Sequence, residues 1–535
     1  MNHDPLGNEA NRFGSAAFAN AADIRRAGMF SQEPGSLLVG FFEGRPLWYS
    51  GAGGVLLTAG ARSGKLRDVL AYNLCPRICL HTMLVLDMKG ELATISQDQT
   101  PDKKFCIYWN PLFLHGFGCN RFNPVGYITI VSPSLVSDVK VLCENLIPES
   151  GSAQGQYFEG RAREYLEALI LTLTRMHGTL TLPDLYAALN LIPGGSDAWL
   201  DFAFEMKESG FAIAARVEEE IAASRGNASN GFEGILGEMF KSLSCLSDPV
   251  LLQSISPPYD FSLSDLCASD QAYQLYLMAP AEVIGPWAPI LKAIFVGAMI
   301  YKSRSPSSPR QTWVLDECAQ LGKFPLVQKL YTYGAGIGIR PFAVFQSTDQ
   351  MKGLAPGAES IIPSSAACQI LFGLRDIASA SACSQRLGAQ TLEYDDAQAQ
   401  GRAILARQQA MHELLNGGDA MKAALSYRHY SQAALQRTKQ HRLLRTPDEV
   451  LNTPDNRAYI FADNLSRPIY AERRAYFEQR FMAGRYYPNP YHPPADRVRV
   501  KLRIGHGWRT IIREPVPQAF AHYPQYADGT WARLG

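Results

Sequence analysis

Val55-Leu56-Leu57-Thr58-Ala59-Gly60-Ala61-Arg62-Ser63-Gly64-Lys65-Leu66 is an apolar run of strand length feeding a small-residue loop that ends in Gly-Lys. Arg67-Asp68-Val69-Leu70-Ala71-Tyr72-Asn73-Leu74 follows and reads as a helix. Strand, flexible loop, Gly-Lys and helix are the layout of a phosphate-binding loop. Successive backbone N–H groups and the helix N-terminus face the anion, and the lysine reaches the outer phosphates. Gly60, Ala61, Arg62, Ser63, Gly64, Lys65 and Leu66 are therefore the candidate phosphate cradle. Against the pattern G-x-x-x-x-G-K-[S/T], Ala59 replaces the first glycine and Leu66 the serine or threonine. An ordinary small-residue turn shares this look, so the rest of the chain has to decide.

The chain has 535 residues, 47% hydrophobic and 19% charged, a globular composition long enough for two or three domains. Its net charge of +1 provides no overall field toward nucleic acid, so any such contact needs a local patch. The ten cysteines are scattered. Cys75 and Cys79 lie close in sequence, but no second pair answers them at metal-ligand spacing, which favours inert thiols in a reducing compartment. Met1–Glu9 has neither a basic nor an apolar region of the kind a secretory signal needs. The most apolar stretch, Val283–Tyr301, carries Pro286, Pro289 and Lys292 and reads as a buried helix rather than a membrane span. The expectation is a soluble chain.

Residues 1–54 read as short polar segments and Gly-rich turns leading into the first strand. Thr82-Met83-Leu84-Val85-Leu86-Asp87 is a second strand, ending in an acid before Met88-Lys89-Gly90-Glu91-Leu92. That ending suits the C-terminal edge of a parallel sheet, where ligands bind, or a plain exit with Asp87 as a cap. From about 126 to 265 the period turns helical. Leu135, Val139, Leu142 and Leu146 form one stripe; Phe158, Ala162, Tyr165, Leu169 and Leu173 form another. A further helix over Ala212–Ala223 breaks at Arg225-Gly226-Asn227. Strands return at Tyr273–Met278, Thr312–Glu317, Arg340–Phe345 and Gln369–Gly373, separated by helices to Lys302, over about 325–333 and over Ile377–Leu387. Alternating strands and helices imply an α/β, largely parallel sheet interrupted by an all-α insertion. Tyr394–Arg442 lacks a clean apolar face and reads as a mobile helix or solvated loop. Thr446-Pro447-Asp448-Glu449 restarts order as a helix cap. The expected segments are 1–125, 126–265, 266–480 and a Pro/Tyr/Arg-rich tail over 481–535. That tail reads as solvated or partner-wrapped, with nucleic-acid binding through Arg and Tyr as the alternative.

Val314-Leu315-Asp316-Glu317 is the partner for the loop. In a nucleotide-hydrolysing site an aspartate at a strand end holds Mg²⁺, usually through water, and the next glutamate activates the attacking water. Two acids in a turn also occur by chance. Asp316 lies 251 residues after Lys65, and the next strand ends at Phe345-Gln346-Ser347, placing an amide where it can sense a phosphate or the water. Lys65, Asp316, Glu317 and Gln346 are the candidate catalytic residues, with Asp316 the metal ligand.

These stretches, in order, resemble the TraG-type coupling proteins of type IV secretion and conjugation. Asn11-Arg12-Phe13-Gly14-Ser15-Ala16 is similar to the segment opening that family's cytosolic part. Thr58–Lys65 is similar to its phosphate loop, and Leu86-Asp87-Met88-Lys89-Gly90-Glu91 to its D-x-K-G-E. Leu315-Asp316-Glu317-Cys318-Ala319-Gln320-Leu321-Gly322 is similar to its L-D-E-x-x-x-L-G, and Leu444-Arg445-Thr446-Pro447-Asp448-Glu449-Val450 to its L-x-T-P-D-E-V. Phe122-Asn123-Pro124-Val125 and Val344-Phe345-Gln346-Ser347 also fit. The resemblance implies a hexameric RecA-like P-loop ATPase using ATP and Mg²⁺, whose all-α domain helps receive a relaxase with its DNA strand or effector proteins. It implies partners among secretion-channel components at the inner membrane, and a cytoplasmic, peripheral location. The family's membrane-spanning start is not seen here, so attachment falls to a partner, a small membrane anchor among the choices, or is absent. Leu66 offers no Mg²⁺ ligand, which keeps a non-hydrolysing substrate adaptor open as an alternative. A DNA pump of the FtsK or HerA type is another, disfavoured by the all-α insertion and the T-P-D-E-V stretch. Arg340 and Arg375 lie near the right strands but read equally well as structural.

Overall fold

The computed structural model describes residues 11–149, 153–226, 230–417, 419–434, 437–521 and 529–535. Met1–Glu9 and Asn227 of the expected helix break lie outside the described residues. The chain forms two compact units. One comprises Ala21–Gly373, Asp455–Leu465 and Tyr470–Gly535; the other Met1–Asn20, Leu374–Pro454 and Ser466–Ile469. The expected segment 266–480 is thus divided between them.

In chain order the strands are β1 (Leu37–Phe42), β2 (Arg45–Tyr49), β3 (Val55–Ala59), β4 (Thr82–Asp87), β5 (Lys104–Trp109), β6 (Ala272–Met278), β7 (Gln311–Leu315) and β8 (Ile339–Phe345). There follow β9 (Cys368–Phe372), β10 (Ala389–Tyr394), β11 (Thr438–Leu443), β12 (Arg457–Ala462), β13 (Ile469–Glu472), β14 (Arg497–Lys501), β15 (His506–Pro515) and β16 (Thr530–Leu534). The larger unit is built on an eleven-stranded sheet in the order β2-β1-β13-β12-β9-β3-β8-β7-β4-β6-β5. From β9 to β5 the strands run parallel, with Leu57 registered between Val344 and Ile370 and Leu84 opposite Trp313. β3 is buried at every residue, which is why its sequence is continuously apolar rather than alternating. β12 joins β9 antiparallel, and β1 is antiparallel to both β13 and β2.

Two expectations are corrected here. Residues 1–54 are not merely polar turns: β1 and β2 form a hairpin before β3. A register irregularity between Leu38 and Gly40 and the short Glu43-Gly44 turn hide the strand period. The segment 481–535 is not a solvated tail. Met482, Tyr486 and Val498 join a buried cluster with Phe41, Tyr72 and Tyr476, and β14, β15 and β16 form an antiparallel sheet.

Between Leu135 and Cys267 every regular element among the described residues is helical. The stripe Leu135, Val139, Leu142 and Leu146 is buried on one helix, and Ala162, Tyr165, Leu169 and Leu173 on the next. These side chains share one continuous core with Leu84, Leu291 and Trp313 of the sheet layer. The helix Ala281–Ser303 is long and apolar enough to cross a membrane, yet 72% of its most apolar window is buried. Trp287 meets Trp109 at 6.0 Å and Phe295 meets Trp313 at 5.7 Å, so it serves as a core helix.

In the smaller unit, β10 and β11 pair antiparallel around helices Ala397–Leu415 and Ala420–Ala433. The expected mobile or solvated stretch is therefore regular structure. Ala403, Ala410 and Ala423 are buried in these helices; such small side chains leave a weak hydrophobic period. The N-terminal motif docks on β10, with Ala16 N–H donating to Ala389 O at 2.9 Å and Thr391 N–H to Gly14 O at 3.0 Å. Thr446 and Glu449 form a reciprocal capping box.

Candidate functional site

Four neighbouring parallel strands, β3, β8, β7 and β4, end in Ala59, Phe345, Leu315 and Asp87. The C-terminal ends of parallel strands present loops to one edge of the sheet, where ligands bind. The residues that follow these ends meet around a single cavity of about 780 Å³. Ala61, Arg62, Gly64, Lys65 and Leu66 line it from the β3 loop, Asp316 and Glu317 from β7, and Gln346 from β8. Asp87, Lys89 and Glu91 line it from β4. Gly60 and Ser63 of the expected cradle do not line it. The Ser63 side chain instead lies against Gly373, where an added Cβ would come within 2.7 Å of Ser63 Cβ.

Lys65 joins the two motifs. Its Nζ lies 3.1 Å from Asp316 Oδ1 and donates to Glu317 Oε1 at 2.8 Å. Burial works to lower the lysine's pKa, but Asp316 and then Glu317 outweigh it and hold the ammonium above its ordinary value. Burial pushes the Asp316 carboxyl up, Lys65 opposes, and Glu317 adds to the rise. Glu317 itself sits at φ +52, a region L side chains rarely occupy. β7 therefore stops one residue before Asp316, and the turn aims both carboxylates into the cavity. Such backbone outliers cluster at functional sites.

The departures from the loop pattern have physical reasons. Ala59 is the last residue of β3, paired with Phe372 and outside the positive-φ set, so no glycine is required there. Gly64 is required: its φ is +91, and a Cβ would stand 3.0 Å from Asp68 Oδ2. Leu66 opens a π-helical turn, Leu66–Leu70, and packs against the aromatic cluster around Tyr72 and Tyr476. The expected helix over 67–74 is thus a π turn leading into Ala71–Leu74.

Sequence reasoning missed the residues that hold the loop. Arg473, at the end of β13, donates to Ser63 O at 2.9 Å and to Asp455 O, and lies 3.5 Å from Asp68 Oδ2. Its guanidinium stands 3.9 Å over the Phe372 ring. Asp68 also accepts from Arg67 at 2.6 Å. Arg473 follows Lys65 by 408 positions, so no local motif signals it. Asp87 accepts from Ala93 N–H at 2.8 Å, capping the helix Glu91–Ser96 while its carboxyl lines the cavity. Burial lifts Asp87 to about 7, against the Ala93 hydrogen bond and with Asp316 and Glu91 adding to the rise.

A strap from the C-terminal region closes the other wall. Tyr476, Phe477, Asn489, His492 and Pro493 line the cavity. Asn489 donates to Glu91, Tyr491 OH to Lys89 O at 3.3 Å, and Tyr487 N–H to Ile95 O at 2.8 Å. Arg340 is wholly buried and donates to Gly51 O at 3.2 Å and Thr312 Oγ1 at 3.0 Å, which makes it structural. Arg375 is exposed in the smaller unit.

The family described as type IV secretory system conjugative DNA transfer matches residues 9–494. The chain belongs to that family. Within it, the conjugal transfer protein TraG of Escherichia coli is 24% identical over 385 residues, covering 64% of this chain and 59% of its own length. TraG of Rhizobium radiobacter is 25% identical over 323 residues, covering 58% and 49%. The chain therefore spans only part of the length of these relatives. The plasmid coupling protein TrwB in complex with ADP and Mg²⁺ matches with a TM-score of 0.56 at 15% identity, covering 86% of this chain and 97% of that one. TrwB with the ATP analogue ADPNP gives 0.57 at 17%, covering 86% and 96%. The fold is that of a RecA-like P-loop NTPase, an α/β domain on a largely parallel sheet with an all-α insertion. In this conjugative DNA transfer family member the strap lies inside the matched range, whereas β14, β15 and β16 lie beyond it.

Proposed function

We propose that the protein is an ATP-hydrolysing coupling protein that delivers relaxase-bound DNA or effector proteins to a type IV secretion or conjugation channel. One observation carries the ATPase reading: Lys65 Nζ bridges Asp316 and Glu317 at 3.1 and 2.8 Å beside the phosphate-binding loop. The donor set fits magnesium nucleotide. Asp87, Asp316, Glu317 and Gln346 bring hard oxygen donors into a space of about 780 Å³. An ammonium already sits against Asp316 at the position where a carboxylate would face a cation. Mg²⁺ bound with ATP would neutralise charge on the outer phosphates, held by Asp316 through water, with nothing contributed by Leu66.

The chain's own residues then have separable tasks. Backbone N–H groups of the loop residues that line the cavity, Ala61, Arg62, Gly64 and Lys65, bind phosphate oxygens. Lys65, drawn to the polyanion, releases both acids. Glu317 takes a proton from the water whose oxygen attacks the terminal phosphorus, as the bond to the leaving ADP oxygen breaks. Gln346 orients that water. Assembly as a homo-hexamer at the inner membrane, with secretion-channel components as neighbours, belongs to the same proposal.

ATP turnover by the purified protein, with and without single-stranded DNA, tests it against Glu317→Gln. The variant is expected to lose at least about 100-fold in turnover, the scale of general-base catalysis, while still binding an ATP analogue. Absence of both turnover and Mg²⁺-ATP binding in the parent protein would sink the motor and leave a substrate adaptor.

A further inference from the structure

The sheet of β14, β15 and β16 lies outside the family match and carries charge unlike the rest of the chain. From 497 to 513 the sequence holds Arg497, Arg499, Lys501, Arg503, Arg509 and Arg513 and no acid, against a net charge of only +1 overall. Register sorts these residues between two faces. Val498, Val500 and Ile511 turn inward onto the aromatic cluster. Arg497 pairs with Thr510, Arg499 with Trp508 and Lys501 with His506, and directly paired residues share a face. The outward face is therefore Arg497, Arg499 and Lys501 beside His506, Trp508 and Thr510.

Trp508 remains 41% exposed at the centre of this face. The Arg497 guanidinium lies 5.3 Å and the Arg499 guanidinium 6.0 Å from its ring. Arg499 is anchored by donating to Glu478 O at 2.5 Å, which fixes the cation beside the ring. Arg497, Lys501, Arg503, Arg509 and Arg513 have no carboxylate within 4.0 Å among the described residues. At the far end, Glu514 pairs with Arg533 at 2.7 Å and Phe520 stacks on Trp531 at 5.9 Å, so that end is neutralised and covered. The open cationic and aromatic surface is the Trp508 end.

We propose that this face is a binding surface for single-stranded nucleic acid. Phosphates lie along Arg497, Lys501 and Arg503, and an unpaired base stacks at Trp508. A strand-tolerant site needs those two elements together: cations that follow the backbone, and an aromatic face open to any base. A duplex offers no free base for Trp508, and an acidic polypeptide would leave the ring unused. This surface is independent of hydrolysis at the nucleotide cavity.

Anisotropy of fluorescein-labelled (dT)30 with the full-length protein tests the proposal. Trp508→Ala is expected to weaken binding about tenfold with an unchanged salt slope, because stacking is lost and no phosphate contact is. Arg497→Ala/Lys501→Ala is expected to weaken binding and flatten the log–log salt dependence by about 1.4, at roughly 0.7 per phosphate on a single strand. Both positions are exposed, so the double variant keeps its melting temperature and the test stands even if Trp508→Ala folds poorly. ATP-analogue affinity, measured in parallel, is expected to stay at the parent value, which separates this surface from the nucleotide reading. Binding of (dT)30 unchanged in the double variant would overturn the proposal. So would loss of binding to phosphatidylglycerol vesicles with no loss on (dT)30.

Discussion

Arg473 ties the phosphate-binding loop to the end of β13, and its side chain is only 4% exposed. Removing it leaves the wholly buried Asp68 carboxylate with Arg67 as its remaining partner and takes the donor from Ser63 O and Asp455 O. Arg473→Ala is therefore expected to lower stability by about 2 kcal/mol in denaturant unfolding. ATP-analogue affinity should fall with it, because Ser63 O loses its donor. Arg473→Lys should not restore either, since one ammonium cannot serve Ser63, Asp455 and Asp68 together. Asp87 gives the site a pH signature. Its carboxyl is raised from 3.8 to about 7 in the fold, so between those values the folded state holds a proton that the unfolded chain has released. The Asp87 contribution is complete below about pH 4 and is lost as pH rises through about 7. Asp87→Asn keeps an acceptor for Ala93 N–H and is expected to flatten the stability profile over that window. Above pH 7 it should exceed the parent by an amount on the order of 2 kcal/mol. A variant curve parallel to the parent's would count against this account.

At the scale of elements, the strands of the parallel sheet and their order of motifs are legible because each is a short apolar run ending in a polar tip. Thr82–Asp87 is β4 residue for residue, and the Lys65, Asp316, Glu317 and Gln346 tips lie on adjacent or near-adjacent strands. β1 and β2 are not legible: a bulge beside Gly40 breaks the period, and their role as an antiparallel edge depends on β13, more than 400 residues away. Arg473 escapes for the same reason, since its meaning lies in a contact with Ser63 and not in its neighbours. The part of the strap beyond residue 480 reads as tail because aromatic and proline content carries no helix or strand period. The helix Ala281–Ser303 was legible as buried, but one of its two lysines has an energetic cost. Lys292 is 7% exposed, has no ion-pair or hydrogen-bond partner among the described residues, and burial lowers its pKa from 10.5 to about 8. Between those values the unfolded chain holds more protons, so stability attributable to this residue rises with pH. Lys292→Met preserves the stem and removes the charge. It is expected to stabilise the protein by about 2 kcal/mol at pH 7, with the gain shrinking toward pH 10, by thermal melting across that range.

In the larger unit, the sheet beyond the family match and the nucleotide cavity are mechanically linked through the strap. β14 docks on it by one backbone bond and one backbone-to-side-chain bond: Gly484 N–H donates to Arg499 O at 2.7 Å, and Arg499 N–H to Tyr486 OH at 3.1 Å. Val498, Val500 and Ile511 cover Met482 and Tyr486, whose cluster includes Tyr476 at the cavity wall. The strap then continues through Tyr487 and Asn489, which bond to Ile95 and Glu91 of the helix following β4. Removing residues 495–535 leaves the strap in place but strips its outer cover. Exposing three aliphatic side chains costs roughly 3 kcal/mol at about 1–2 kcal/mol each when partly buried groups are included. The truncated protein is therefore expected to melt a few degrees lower. Its affinity for an ATP analogue should fall several-fold, because the wall formed by Tyr476, Phe477 and Asn489 is no longer held. Trp508→Ala, which faces outward, should leave that affinity intact, so the pair of measurements separates support of the cavity from binding on the outer face. A truncated protein that melts lower yet binds the analogue at parental affinity would show that the strap is held by its own bonds to Glu91, Lys89 and Ile95, and that the terminal sheet serves only the surface it presents.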